Sequence, residues 1–132
     1  MNNNLIEKAL DKLRFTKRAS HIVIKKAKEC IKKKDEFTFV LSGGRTVKDI
    51  YVDLANNHKY SIDWSKVHFF WLDERCVSPK HKNSNYKLAY DNLIIELDKV
   101  GSINRIKGEI NPIQSAKEYK KTILNFFQKK KI

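Results

Sequence analysis

Two short polar stretches of the sequence carry residues that could bind an anion. The first, Ser42-Gly43-Gly44-Arg45-Thr46, follows an apolar run and precedes a helical pattern. Glycine lets the backbone approach a ligand closely, and the free N–H groups at a helix start favour a negative charge. The hydroxyls and Arg45 add further donors. The stretch lacks the lysine of a nucleotide P-loop and the dinucleotide fingerprint. Taken alone, it equally suits a plain turn from strand to helix.

The second stretch is Asp73-Glu74-Arg75, where three charged residues end the apolar run VHFFWL at 67–72. An arginine binds phosphate or carboxylate through two parallel hydrogen bonds. The two acids could hold that guanidinium in place or accept sugar hydroxyls. In isolation the triplet is more typical of a surface ion-pair cluster, which contributes little to stability. A second polar edge on the neighbouring strand favours a binding site.

The elements that would hold these stretches follow from the hydrophobic pattern. The runs at 37–41 and 67–72 are rich in aromatic and β-branched residues, which predicts strands buried on both faces of a parallel sheet. Thr46 could cap a helix between them that ends near Asn56, giving a right-handed βαβ unit. A longer helix is predicted over 5–33. Its apolar stripe would consist of Leu5, Ala9, Leu13, Ala19, Val23, Ala27 and Cys30.

Further helices are predicted at about 85–99 and 112–129, with an extended segment at 103–109. The expected fold class is α/β, a three-layer, Rossmann-like, mostly parallel sheet flanked by helices, with residues 1–132 forming one partial domain. Ligands of such sheets lie beyond the carboxyl ends of the strands, where both polar stretches fall. A sheet of two or three strands leaves its edges open. We therefore expect the chain to form the first, truncated half of a doubly wound domain.

The composition narrows the class of protein. A hydrophobic fraction of 41% is too high for a disordered chain, and no apolar run is long enough to cross a bilayer. Without an apolar signal core and with only two distant cysteines, a reduced cytoplasmic protein is expected. The net charge of +13 comes mostly from scattered lysines rather than clustered arginines. Codon bias explains it more simply than a polyanion-binding surface, so nucleic-acid binding is the less favoured alternative.

The order of the motifs LSGGRT, IDWSKVHFFWLDERCVSP, NSNY and INRIKGEINPIQSAKEY resembles the 6-phosphogluconolactonases over about 35–127. Glucosamine-6-phosphate deaminases share the fold but usually have Asp-Glu-Tyr at the second edge, so Arg75 favours the lactonase branch. The resemblance implies hydrolysis of 6-phospho-D-glucono-1,5-lactone in the pentose phosphate pathway, with no metal or organic cofactor and a small sugar phosphate as partner. It implies substrate-binding roles for Ser42, Gly43, Gly44, Thr46, Asp73 and Arg75. The sequence pattern adds Arg45 to this set.

Compared with the family's motifs, this sequence has one further match and two departures. Asn85 and Tyr86 match the family's Ser-Asn-Tyr motif and are expected to support the loop rather than touch substrate. Arg45-Thr46-Val47 stands where the family usually has Ser-Thr-Pro. The family's catalytic histidine lies in an Asp-Gly-His segment beyond these residues, so the catalytic residue is unknown and His81 is only a weak stand-in.

Several alternatives therefore stay open. The chain could be a catalytically incomplete sugar-phosphate binder that needs a complementing half, or it could self-associate through its open sheet edge. A deaminase-type isomerase and a basic nucleic-acid binder are less favoured. The scattered histidines and cysteines show no zinc-like spacing, so no metal site is expected.

Overall fold

Helices and strands alternate along the chain in the computed structural model, which describes residues 11–128. The elements are α1 (Lys12–Lys34), β1 (Phe37–Leu41), α2 (Arg45–Asn57), β2 (Val67–Trp71), α3 (Asn85–Asn92), β3 (Ser102–Asn104) and α4 (Pro112–Gln128). Short 3₁₀ turns at Trp64–Lys66 and Ile94–Glu96 precede β2 and follow α3. None of the helices within 11–128 is long and apolar enough to cross a membrane.

The strands form a parallel sheet in the order β1-β2-β3. Phe37 pairs with Val67 and Leu41 with Trp71, so β1 and β2 end at the same level and their following loops meet. The β1–α2–β2 segment is the predicted βαβ unit, and the predicted α/β fold class with a parallel sheet flanked by helices is confirmed.

Alternate residues of the strands face two different layers. Leu41, Phe69 and Trp71 point into the main core, where they join side chains of α1, α2 and α3 such as Ile24 and Leu54. The opposite face of β2 is covered by α4, because the rings of Phe126 and Phe127 pack on Phe70. Helices therefore lie on both sides of the sheet.

Three sequence predictions need correction. The helix that starts near Asn85 ends at Asn92 rather than 99, and the extended segment at 103–109 is a strand only up to Asn104. Leu13 on α1 is 64% exposed, whereas the buried positions of α1 are Thr16, Ser20, Ile24 and Ala27. Small residues at these positions let α1 approach α2 closely, so the buried stripe differs from the predicted one. Positions 5–10 of the predicted helix lie outside the described residues.

β1 is not buried on both faces as predicted. Val40 is 53% exposed, although its register partner Phe70 is nearly fully buried under α4. The reason is that β1 is an edge strand and the aromatic end of α4 packs on β2. Leu72, two positions after Phe70, is 73% exposed, and Phe127 is partly exposed. Val40, Leu72 and Phe127 form what we call the open face.

Candidate ligand-binding site

The glycine loop follows directly on β1 and leads into α2. Gly44 is the N-cap of α2, with a φ of 115° that favours glycine, and no side chain caps the first-turn amides. Thr46 therefore lies within the first turn rather than capping the helix as predicted. Ser42 and Gly43 are partly buried, whereas Gly44, Arg45 and Thr46 are exposed at the edge of the sheet. The loop thus presents uncapped helix amides to solvent, as an anion-binding loop would.

Tyr51 fixes the start of the glycine loop from within α2. Its hydroxyl accepts a hydrogen bond from Ser42 N (3.2 Å) and donates one to Ser42 O (2.7 Å). The side chain is almost fully buried. Burial raises the pKa of Tyr51, and the hydrogen bond with the Ser42 backbone opposes that rise. Sequence reasoning did not identify Tyr51, since its apolar setting indicates only a core residue.

The carboxylate of Glu74 is hydrogen-bonded mainly to the start of α3. Oε1 accepts from the backbone N–H groups of Arg75 (2.8 Å) and Asn85 (2.6 Å). Oε2 accepts from Ser84 Oγ (2.9 Å) and from Tyr86 N (3.0 Å). The idea that the acids hold the guanidinium of Arg75, and equally the idea of a surface ion-pair cluster, is therefore wrong for Glu74. Its oxygens accept from backbone N–H groups and from the Ser84 hydroxyl, and not from the guanidinium of Arg75.

Arg75 and Asp73 lie exposed at the second edge. Within residues 11–128 the Arg75 guanidinium forms no ion pair, so its forked donors remain for a ligand. The Arg75 backbone is held by a tight contact, because a Cβ on Gly108 would stand 2.1 Å from Arg75 O. Sequence reasoning missed Gly108, which only tertiary packing reveals.

Asn85 joins the two edges. Its Nδ2 donates to Asp73 Oδ1 (3.1 Å) and Asp73 O (3.3 Å), while its Oδ1 lies against the backbone of Gly43. Asn85 is only 5% exposed, and its backbone carbonyl accepts from Trp71 Nε1 (3.3 Å). The structure therefore brings the glycine loop and the Asp73–Arg75 loop together, with Asn85 between them.

The segment after β3 and helix α4 make further contacts beside this edge. Arg105 donates two hydrogen bonds to the Glu109 carboxylate (2.9 and 2.7 Å), which lowers the pKa of Glu109 to about 2. Tyr119 of α4 accepts from Trp71 N (2.9 Å) and donates to Trp71 O (2.5 Å). The backbone N–H and C=O of Trp71, the last residue of β2, are thus both hydrogen-bonded to one tyrosine hydroxyl, as those of Ser42 are to Tyr51.

The histidines are engaged elsewhere or lie on the surface. His58 contacts Ser61, and His68 lies within β2, as predicted, where it bonds Ser102 (2.8 Å). His81 is exposed on the loop after Arg75, and its Nδ1 accepts a hydrogen bond from Asn83 N (3.0 Å). Residues 11–128 contain no group of three or more His, Cys, Asp or Glu that could hold a metal ion.

The chain is of the class of α/β proteins with an open parallel sheet, whose ligands generally lie beyond the carboxyl ends of the strands. Within that class, the chain belongs to the family described as glucosamine-6-phosphate isomerases/6-phosphogluconolactonase, whose model matches residues 11–132.

Named relatives agree with this assignment. The chain is 32% identical over 126 residues to a 6-phosphogluconolactonase of Nostoc sp., covering 92% of this chain and 50% of the relative. It is 37% identical over 89 residues to a chloroplastic 6-phosphogluconolactonase of Arabidopsis thaliana, covering 67% of this chain and 27% of that protein. The solved structure of 6-phosphogluconolactonase from Plasmodium vivax matches with a TM-score of 0.79 and 28% identity, over 92% of this chain and 42% of that one. The chain thus spans no more than about half the length of these proteins.

Proposed function

We propose that this chain carries the substrate-binding part of a 6-phosphogluconolactonase, which hydrolyses 6-phospho-D-glucono-1,5-lactone to 6-phosphogluconate. Family membership and the names of the relatives support the activity. The observation that carries the proposal is the meeting of two loops, one with uncapped helix amides and one with an unpaired arginine, across Asn85. Such an edge suits a small ligand with one anionic end and several hydroxyls.

The proposed roles follow from the donors at each edge. Arg75 binds an anionic group of the substrate through its two forked N–H groups. The amides after Gly43 and Gly44, with the side chains of Arg45 and Thr46, orient the remainder of the sugar. Ser42 is tied to Tyr51 through its backbone, which fixes the start of the loop beside the ligand. No organic cofactor or metal has a role in this scheme.

A second candidate is a sugar-phosphate-binding chain that is catalytically incomplete by itself. The histidine geometry favours it: Nδ1 of His58, His68 and His81 each contacts a group other than the two edges, and His21 is exposed on α1. General base catalysis contributes about 10²–10⁴-fold, so binding without that base would leave little hydrolysis. We propose that the base comes from polypeptide beyond the described residues, in the same protein or in a complementing chain.

The open face supports a contact of this kind. Val40, Leu72 and Phe127 expose apolar surface around Phe70, and β1 has a strand on one side only in the part of the chain described. Unpaired strand edges beside apolar surface pair readily with further polypeptide. We also propose that the protein acts in the cytoplasm, since Cys30 and Cys76 are free and Cys76 is exposed.

Hydrolysis of fresh lactone tests the proposal. Rates for the wild type, Arg75→Ala and Arg14→Ala are compared with the spontaneous reaction; Arg14 is an exposed arginine on α1 that pairs with Asp11 and not with a residue of either edge. A rate above background that Arg75→Ala abolishes and Arg14→Ala leaves intact is expected of a lactonase. Background rates from folded wild-type protein would reject hydrolysis by this chain and leave the binding candidate.

A further inference from the structure

The two carboxylates of the second edge, Asp73 and Glu74, differ in how many of their oxygens are hydrogen-bonded within the protein. Each oxygen of Glu74 accepts two hydrogen bonds from α3 and its surroundings, so no acceptor faces a ligand. Asp73 is exposed, and only its Oδ1 is engaged, by Asn85 Nδ2. Among residues 11–128, Oδ2 of Asp73 forms no hydrogen bond or ion pair. One carboxylate oxygen at the edge is therefore available as an acceptor.

Asn85 fixes the direction of that acceptor. An exposed aspartate on a loop would sample several rotamers, but a bond from a buried amide selects one of them. The amide of Asn85 is itself held, because its Oδ1 packs against Gly43 and its backbone carbonyl accepts from Trp71. The orientation of Asp73 is thus set from the core and not from solvent.

We propose that Asn85 is a positioning residue, which turns Asp73 so that its second carboxylate oxygen accepts a hydroxyl hydrogen bond from a phosphorylated sugar acid. The identity of this ligand rests on the proposed function. The anionic group is bound by Arg75, the loop amides orient the sugar, and a hydroxyl, which donates, is bound by Asp73. The edge thereby distinguishes a polyol phosphate from a bare anion.

Binding of two probes tests this role in Asn85→Asp and Asn85→Ala. The matched control is Asn92→Asp at the other end of α3, where Nδ2 donates to Leu88 O (2.8 Å) and not to the ligand edges. We expect both Asn85 variants to bind 6-phosphogluconate about 10-fold more weakly or worse, since a charge-assisted hydrogen bond is lost. In Asn85→Ala, which adds no charge to the edge, the affinity for inorganic phosphate should stay within about twofold, because Asp73 does not contact it. If Asn85→Ala weakened the binding of both probes equally, or of neither, the proposal would be overturned.

A second readout does not depend on the ligand. The side-chain NH₂ signals of Asn85 in a ¹⁵N spectrum should move in Asp73→Ala, while those of Asn92 stay in place. An Asn85 signal that ignores Asp73→Ala would overturn the positioning contact. Failure of folded wild type to bind 6-phosphogluconate would instead contradict the proposed function, so the two failures are told apart.

Discussion

At the scale of single residues, the two glycines of the loop serve different needs. Gly44 is required for its backbone, since its φ of 115° strains other residues. Gly43 is required for space, because a Cβ there would stand 2.1 Å from Asn85 Oδ1 and 2.7 Å from its Cγ. The sequence predicted a ligand loop from the Gly-Gly pair. It could not separate these two needs, because Asn85 lies far along the chain and only the fold brings it close.

Gly43→Ala is therefore predicted to lower the free energy of unfolding by about 1–3 kcal/mol, the usual cost of overpacking a close contact. Urea unfolding measures it. In an Asn85→Ala background, which removes the clashing atoms, the same change should cost clearly less. The two single effects would then fail to add. Strict additivity would show that Asn85 does not fill the space beside Gly43.

At the scale of elements, the charged triplet after β2 is partly a helix-starting device. Glu74 accepts hydrogen bonds from the first two backbone N–H groups of α3, at Asn85 and Tyr86. Glu74→Ala is predicted to destabilise the protein by about 1–2 kcal/mol, as loss of a helix cap does. Glu29→Ala, which removes an exposed carboxylate near Lys26 on α1, should change stability by less than about 0.5 kcal/mol. Thermal or urea unfolding of both variants checks this, and equal effects would contradict the assignment.

Periodicity in the sequence predicted β1, α2 and β2 well, because their apolar patterns are short and clear. It extended α3 to 99, since Leu93, Ile94 and Leu97 continue an apolar pattern that the structure satisfies with a 3₁₀ turn. The roles of Glu74, Tyr51 and Gly108 depend on partners distant in the sequence. Their residue types alone leave those roles undetermined.

Tyr51 links α2 to the glycine loop and predicts a pH dependence. Because burial raises its pKa above the unfolded value of about 10, its contribution to stability is complete below pH 10 and is lost as pH rises beyond that. Tyr51→Phe should cost about 1 kcal/mol at neutral pH through the lost hydrogen bonds with Ser42. It should also soften the alkaline fall in stability. Tyr86 and Tyr119, whose pKa values are also raised, remain in both proteins and cancel. An identical alkaline slope in both proteins would refute this.

At the scale of the whole molecule, the sequence predicted an open sheet edge from the small number of strands. The structure locates exposed apolar side chains there, because α4 covers β2 and leaves Val40 open. Which strand would be exposed could not be predicted, since periodicity does not reveal where a helix packs.

Leu72→Lys is predicted to reduce association of the purified 132-residue chain, because it places a charge on the open face. Leu13→Lys is the matched control, since Leu13 is similarly exposed, at 64% against 73%, but lies on α1. Sedimentation velocity over a range of concentrations would show the wild type and the Leu13 variant forming larger species than the Leu72 variant. Identical distributions for all three would mean that the open face does not drive association.

The central claim is that the carboxyl ends of β1 and β2 bind a phosphorylated sugar acid through Arg75. Calorimetric titration with 6-phosphogluconate tests it most directly. We expect saturable binding at one site per chain, weakened about 10-fold or more in Arg75→Ala and unchanged in Arg14→Ala. Equal affinity in the wild type and Arg75→Ala, or no binding by folded wild-type protein, would contradict it.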